Sequence, residues 1–251
     1  MEKPITAGTQ SLRRGLSILK LLSERHQDGL RLTDITEQLE LERSTAHRLL
    51  ACLCEEQFVE KSASSKRYHL GFRAMHMGFA VSSRLPLVER YRPVMQRLAR
   101  ISGDNVFLIA RNGDFGVCLH REEGTFPVKI NTTVVGGTRP LGIGASGLAI
   151  LSTFEDDEVS RIWNCHQSAF ENVGLSLAKL LKAVRLTRKS GYAETIDIIT
   201  NGISAVGVVI PGADDTFAAI SIGGISQRLT ARRRAELGAL LKDSLQTVKV
   251  A

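Results

Sequence analysis

A chain of 251 residues suits one large domain or two modest ones, and 43% apolar residues are enough for ordinary cores. Thirty-three Lys and Arg against 26 Asp and Glu leave a net charge of +7, which permits a nucleic-acid partner. Cys52, Cys54, Cys118 and Cys165 lack the spacing of a metal site or disulfide framework, no apolar run reaches membrane-spanning length, and no leader peptide is visible, so the expectation is a cytoplasmic protein with free thiols and no metal or cofactor.

In chain order, residues 1–10 are polar, with Pro4 and Gly8, and read as a disordered arm. A helix over Ser11–Glu24 offers Leu12, Leu16 and Leu19 as a packing stripe. Two short helices follow, joined by Glu40-Leu41-Glu42. Thr33 is the expected N-cap of the first, where Ile35 and Leu39 share a face. The second starts at Arg43 and buries Ala46, Leu49, Leu50 and Leu53 at i, i+3, i+4, i+7 spacing. Its opposite face carries Ser44, Arg48 and Ala51, flanked by Thr45 and His47. Arginine can make two hydrogen bonds to guanine, hydroxyls suit phosphates and base edges, and small side chains allow close approach. The competing reading is an ordinary amphipathic helix with a solvated face.

The next segment weighs against that reading. Phe58–Lys61 and Lys66–Leu70 look like strands around the polar loop Ser62–Ser65, with Lys66 and Arg67 placed to lie along phosphates. Helix, helix-turn-helix and hairpin together make residues 11–71 a winged helix-turn-helix, whose partner is double-stranded DNA. Residues 1–75 hold 12 basic against 10 acidic side chains, so binding there must rest on the placement of a few cations rather than on bulk charge.

Gly71 and Gly78 bracket a helical pattern over Phe72–Ser83, and residues 72–85 read as a connecting helix. From residue 86 a second domain begins. A helix over Val88–Ser102 is expected to kink near Pro93. Strands are expected at Val106–Arg111, Gly116–Arg121 and Pro127–Asn131, the first two joined by an Asn112-Gly113-Asp114 turn. Gly142-Ile143-Gly144 leads into a helix from about Ser146 to Leu151, Leu177, Leu180, Leu181 and Val184 stripe a later helix, strands at Ile203–Ile210 and Phe217–Ile222 follow, and Ala231–Val248 is the last helix. Strands joined by short turns, with helices around them, give an α+β domain built on an antiparallel sheet. GIGASG lacks the lysine and Ser/Thr of a phosphate-binding loop, so its glycines read as backbone geometry for a tight turn, although a helix start there would favour a carboxylate. Neither Cys118 with His120 nor Cys165 with His166 has an orienting partner in sequence, so no catalytic residue is expected.

SLRRGLSILKLL, STAHRLL, YHLGFRAMHMG, RPLGIGASGLAIL, VRLTRKSGYA and FAAISIGG, in this order and over nearly the whole chain, resemble the IclR family of bacterial transcriptional regulators. The resemblance implies a C-terminal effector-binding and oligomerisation domain over residues 86–251, GAF/profilin-like, and a repressor or activator that binds a palindromic operator as a homodimer or dimer of dimers and answers to a small organic or aromatic acid. It places the effector against Ala145 and Ser146, against Thr195 and Asp197 in the segment after GYA, against Ile203 and Ala205, and against Ser221 and Gly223, with Val128 on the same wall. Ala205, Gly223 and Leu148 stand where relatives often have cysteine, serine and lysine, which implies a roomier, less polar pocket and a larger or more apolar ligand. Two alternatives stay open: a DNA-binding dimer with no effector, and an enzyme with a DNA-binding appendage.

Overall fold

The computed structural model describes residues 6, 8–25, 28–82, 87–128, 132–210 and 217–248. The chain divides into two compact units, 1–86 and 87–251.

The first unit runs α1 (Gln10–Glu24), α2 (Leu32–Gln38), α3 (Arg43–Glu55), β1 (Val59–Lys61), β2 (Tyr68–Leu70) and α4 (Phe72–Ser82). Most of the expected arm lies outside the described residues, and Gln10 is already helical. Ile18, Leu22, Leu30, Ile35, Leu50, Val59 and Tyr68 form the core. The stripe of α1 is therefore Ile18 and Leu22, with Leu19 and Leu21 beside them, while Leu12 and Leu16 are exposed. Of the expected stripe Leu12, Leu16 and Leu19, only Leu19 packs against the core. Thr33 is not the N-cap of α2. The helix starts one residue earlier, and the Asp34 carboxylate accepts from the Arg31 backbone N–H at 2.9 Å, which satisfies one of the free donors of the first turn. Between α2 and α3 the chain turns through Glu40 at φ 50°.

β1 and β2 pair antiparallel, and a third segment joins them: Leu30 and Tyr68 exchange backbone hydrogen bonds of 3.0 and 2.7 Å. Gly29, at φ 62°, leaves room for the His69 ring, which would sit 2.4 Å from any Cβ placed there.

The second unit contains α5 (Leu87–Ser102), β3 (Asn105–Asn112), β4 (Phe115–Glu122), β5 (Thr138–Pro140), α6 (Ala145–Leu151), α7 (Asp156–Cys165), α8 (Gln167–Glu171), α9 (Leu177–Ser190), β6 (Ala193–Ile196), β7 (Ile203–Ile210), β8 (Ala218–Ile225) and α10 (Ala231–Gln246). The strands form one antiparallel sheet in the order β5-β4-β3-β8-β7-β6. Pro93 lies inside α5 without ending it. The strand expected at Pro127–Asn131 is not there for residues 127 and 128, and residues 129–131 fall outside the described set; the edge strand is β5 instead.

The two faces of the sheet are covered differently. Val106, Leu108, Val206, Val208, Ile220 and Ile222 point to one face and pack with Tyr91, Met95 and Leu98 of α5 and with Leu237, Leu241 and Leu245 of α10. On the other face Leu148, Ile150, Val159, Ile162, Phe170, Leu180 and Val184, from α6 to α9, build a second core. That core covers only part of its face, and the remainder is a cavity.

Candidate DNA-reading face and ligand cavity

Helix α3 presents Arg43, Ser44, His47, Arg48 and Ala51 to solvent, with Thr45 half-buried, while Ala46 and Leu50 are fully buried beneath them. These exposed positions recur at three and four residues, so they lie on one side of the helix. Arg48 has no ion-pair partner among the described residues, so its guanidinium is available to a ligand. Thr33 is exposed on the first turn of α2. The turn between β1 and β2 carries Lys66, exposed at φ 57°. Arg67 departs from expectation: its Nη1 donates to the Gly29 carbonyl at 2.9 Å, so it fastens the segment before α2 to the hairpin instead of standing free.

The cavity of the second unit opens between the sheet and the glycine turn before α6. Strand register explains its lining. Ala205 pairs with Thr195 on one side and Gly223 on the other, and Ser221 pairs with Phe107. All five line the cavity, with Ile203, Ala145 and Ser146. Seven of the nine sequence-predicted effector residues are thus brought together. Gly142 and Gly144 hold φ of 101° and 94°, values that favour glycine, and they bend the chain so that α6 starts against the sheet. Ser146 is 4% exposed, and its Oγ has no hydrogen-bond partner among the described residues.

Two predicted residues lie elsewhere. Val128 is 56% exposed and does not line the cavity, and residues 127 and 128 are not in a strand. Asp197 sits at φ 55° in the turn after β6, where its carboxylate accepts from the Gly202 N–H and the Ser226 hydroxyl, both at 2.8 Å. It shapes the β6–β7 connection rather than the cavity wall. A Cβ on Gly223 would make only ordinary contact with the Phe107 ring, at 3.4 Å, so the wall there has room for a small group. Leu148 faces the apolar core beside α6, not the cavity. The space open to the centre of a water-sized sphere is about 70 Å³, against roughly 10–15 Å³ for one water, which suits a small ligand.

Sequence reasoning missed Phe107, Ile109, Gly116 and Arg139, which also line the cavity. Strand alternation signals the first three: they share a face with Ser221 once β3 and β4 are in register. Arg139 is a lone cation just before the glycine turn, and nothing in its immediate sequence announces its direction.

The candidate nucleophiles have no catalytic surroundings. Cys118 is buried, burial pushes its thiol up to about 11, and its Sγ lies 3.6 Å from the His120 carbonyl rather than the imidazole. His120 pairs with Glu122 at 2.8 Å, and His166 with Asp114 at 3.1 Å. Neither histidine ring is hydrogen-bonded to a thiol, so neither pair forms the nucleophile–base geometry that covalent catalysis needs. Among the described residues no helix is long and apolar enough to cross a membrane.

Comparison with known proteins agrees with both units. Residues 11–63 match the IclR helix-turn-helix domain, and residues 79–250 match the family described as bacterial transcriptional regulator IclR C-terminal. The HTH-type transcriptional repressor AllR of Salmonella paratyphi A is 30% identical over 247 residues, covering 97% of this chain and 90% of that protein. AllR of Escherichia coli K12 is 29% identical over the same shares. An IclR family regulator from Brucella abortus has the same fold, with a TM-score of 0.81 at 23% identity over 99% of this chain and 94% of the other. An IclR homolog from Microbacterium hydrocarbonoxydans, crystallised with 4-hydroxybenzoate, gives a TM-score of 0.76 at 18% identity over 95% and 97% of the two chains. The helix-turn-helix, the antiparallel sheet domain and these matches lead to one conclusion: the chain belongs to the IclR family, and it is a DNA-binding regulator of transcription rather than an enzyme.

Proposed function

We propose that α3 reads operator DNA through Ser44, His47 and Arg48, and that a small organic acid held in the cavity modulates that binding. Residues 11–71 are the DNA-binding domain in this reading, residues 72–85 the connection, and residues 86–251 the effector and oligomerisation domain, acting in the cytoplasm. Lys66 supplies the wing's phosphate contact, and Arg67 holds the wing in shape. The observation that carries the DNA half is the exposed face of α3, where an arginine without an ion-pair partner stands among small and hydroxyl side chains. The unpartnered Ser146 hydroxyl in a cavity supports the effector half, and the Microbacterium relative crystallised with 4-hydroxybenzoate supplies a precedent.

The first unit's surface supports a homodimer: Leu12 and Leu16 on α1 and Phe72, Met75, Met77 and Phe79 on α4 are exposed apolar side chains that a partner could cover. A second copy covering them would pair two α3 helices for a palindromic site, singly or as a dimer of dimers. The AllR relatives are named repressors, and repression is the sign adopted here.

The test uses an operator fragment selected from random DNA by the wild-type protein. Arg48→Ala should weaken specific binding by about 1–3 kcal/mol in a mobility-shift titration, with the unfolding midpoint unchanged because the side chain is exposed. Unchanged affinity would remove Arg48 from the interface. Ser146→Leu should abolish the effector response while retaining ligand-free operator affinity, since a ligand shifts an equilibrium only by binding its two states unequally. A normal response from that variant would place the effector elsewhere.

A further inference from the structure

The cavity holds a guanidinium without a counter-charge. Arg139 stands on β5 opposite Gly116 of β4, and both residues line the cavity. A Cβ on Gly116 would meet Ile109 Cγ2 at 2.8 Å, so the cross-strand position beside Arg139 is filled by apolar carbon and offers no counter-charge. Nη1 of Arg139 donates to Thr133 Oγ1 at 2.8 Å, and Nη2 donates to the Thr132 carbonyl. A guanidinium carries five N–H donors, so these two bonds leave three with no protein acceptor among the described residues. Both acceptors are uncharged. Burial lowers the pKa of Arg139, and among the described residues no carboxylate acts in the opposite direction; the charge neighbour there is the Cys118 thiol, which burial keeps protonated at neutral pH. Half-buried cations are ordinarily paired, because a desolvated charge without a partner is costly. The second observation is independent. The Ser146 hydroxyl, on α6 rather than on the sheet, is buried against the same cavity with no partner.

We propose that Arg139 is the charge partner of the effector, so that the cavity selects a small carboxylate whose anionic group meets the guanidinium while Ser146 meets its remaining polar atom. This rests on the reading of the cavity as the effector site. It adds the residue that sets the ligand's charge, the arginine that opens the RPLGIGASGLAIL motif. The cavity is small, so short-chain acids are its first candidates.

The experiment titrates the full-length protein with acetate, propionate, lactate and pyruvate, each against its neutral amide, by isothermal titration and thermal shift at constant ionic strength. At least one acid should bind the wild type, and its amide should bind about tenfold weaker or worse, as expected for loss of a charge-assisted hydrogen bond. Arg139→Gln should weaken the acid by a similar factor and erase the preference for acid over amide. Arg139→Lys should retain part of that preference, and it carries the test if the glutamine variant does not fold. Ser146→Ala should weaken acid and amide alike and leave the preference in place, a pattern that a general structural defect would not produce.

An undiminished acid preference in Arg139→Gln overturns the role of Arg139. If Ser146→Leu then abolishes binding, the cavity reading survives. Binding that persists in both Arg139→Gln and Ser146→Leu removes the ligand from the cavity altogether. Wild-type protein that binds none of the four acids, or binds the amides equally well, overturns the assignment of charge and size.

Discussion

The two faces of the six-stranded sheet are made by alternate residues of the same strands, yet one is sealed and the other is open. Along β7, Val206 and Val208 enter a closed core while Ala205 and Gly207 face the α6 side; along β8, Ile220 and Ile222 do the first and Ser221 and Gly223 the second. The backbone is common to both, so the difference lies in side-chain volume alone. Branched apolar residues on one face interdigitate with α5 and α10. Small and hydroxyl residues on the other leave space that α6 does not fill. The cavity is thus formed where Ala205, Ser221 and Gly223 supply little bulk between Phe107, Ile109 and Ile203, with polar groups set around the gap, which is the general form of a small-molecule site.

The sharpest way to break this comparison is to substitute neighbours. Ile222→Ala empties part of the sealed core and should cost about 2–5 kcal/mol in urea unfolding. Ser221→Ala, one residue away on the same strand, should stay within about 0.5 kcal/mol of wild type because its side chain already borders free space. Similar losses from the two would mean that the open face is packed as tightly as the other. A second pair probes the open face itself. A Cβ on Gly207 would lie 2.7 Å from the Ala145 backbone, which cannot move without displacing α6. Gly207→Ala should therefore destabilise by about 1–3 kcal/mol. Gly223→Ala, whose Cβ would make ordinary contacts at 3.4 and 3.8 Å with Phe107 and Ala205, should change stability by less than about 1 kcal/mol. A large loss at Gly223 would show that the cavity floor has no tolerance for added volume.

Ser146→Ala should act with the opposite sign. Its hydroxyl is buried and unpartnered, and an unsatisfied buried polar group carries a desolvation penalty. Removing it should raise the stability of the ligand-free protein by about 1 kcal/mol, read from the thermal midpoint, while weakening ligand binding. A stabilising change that harms function is expected where polarity is kept for a ligand. Destabilisation by Ser146→Ala would show that the hydroxyl already has a partner in the absence of ligand.

How far these features were legible depends on the range of the interactions that make them. The solvent face of α3 follows from helical spacing between Ser44 and Leu53: Ser44, His47, Arg48 and Ala51 are exposed, Ala46 and Leu50 buried, and Leu49 and Leu53 half-buried. The strands β3, β4, β7 and β8 were legible from alternation and from the Asn112-Gly113 turn. Short edge elements were not. β5 has three residues, one of them proline, and gains its identity only by pairing with β4. On α1 the apolar residues Leu12 and Leu16 fit a core stripe as well as Ile18 and Leu22 do, and only the partner surfaces decide between them. The cavity was legible through family resemblance at seven positions. Val128 failed because residues 127 and 128 are not in a strand, Asp197 because its carboxylate is spent on the β6–β7 turn, and Arg139 went unseen because its place on the cavity wall depends on pairing with Gly116, 23 positions earlier in the chain.

The smallest expected effect concerns how the open-face layer is held at its margin. Arg161 of α7 reaches the β3–β4 turn, with Nη1 and Nη2 at 3.1 and 2.5 Å from the Asp114 carboxylate, and His166 Nε2 lies 3.1 Å from the same group. The hydrogen bond from Arg161 is the main cause of a depressed Asp114 pKa, with His166 adding to it against the opposing effect of burial. A carboxylate with a depressed folded-state pKa contributes stability that is complete above its unfolded value, near 3.9, and is lost as pH falls through the folded value. Asp114→Asn should therefore lower stability at pH 7, and the gap to wild type should close as the pH drops below about 4. The gap should be modest, about 0.2–1 kcal/mol, for two reasons. The Arg161 side chain is nearly half exposed, and Arg161 keeps two 2.8 Å contacts with Glu158 when Asp114 is neutralised. High salt should shrink it further. The sealed face has no such group in its core, so Ile222→Ala should show the same loss at pH 7 and at pH 4.5. If the Asp114→Asn deficit persists undiminished to pH 2.5 and in 1 M salt, then packing rather than charge anchors α7 to the sheet, and the two layers differ less than their side chains suggest.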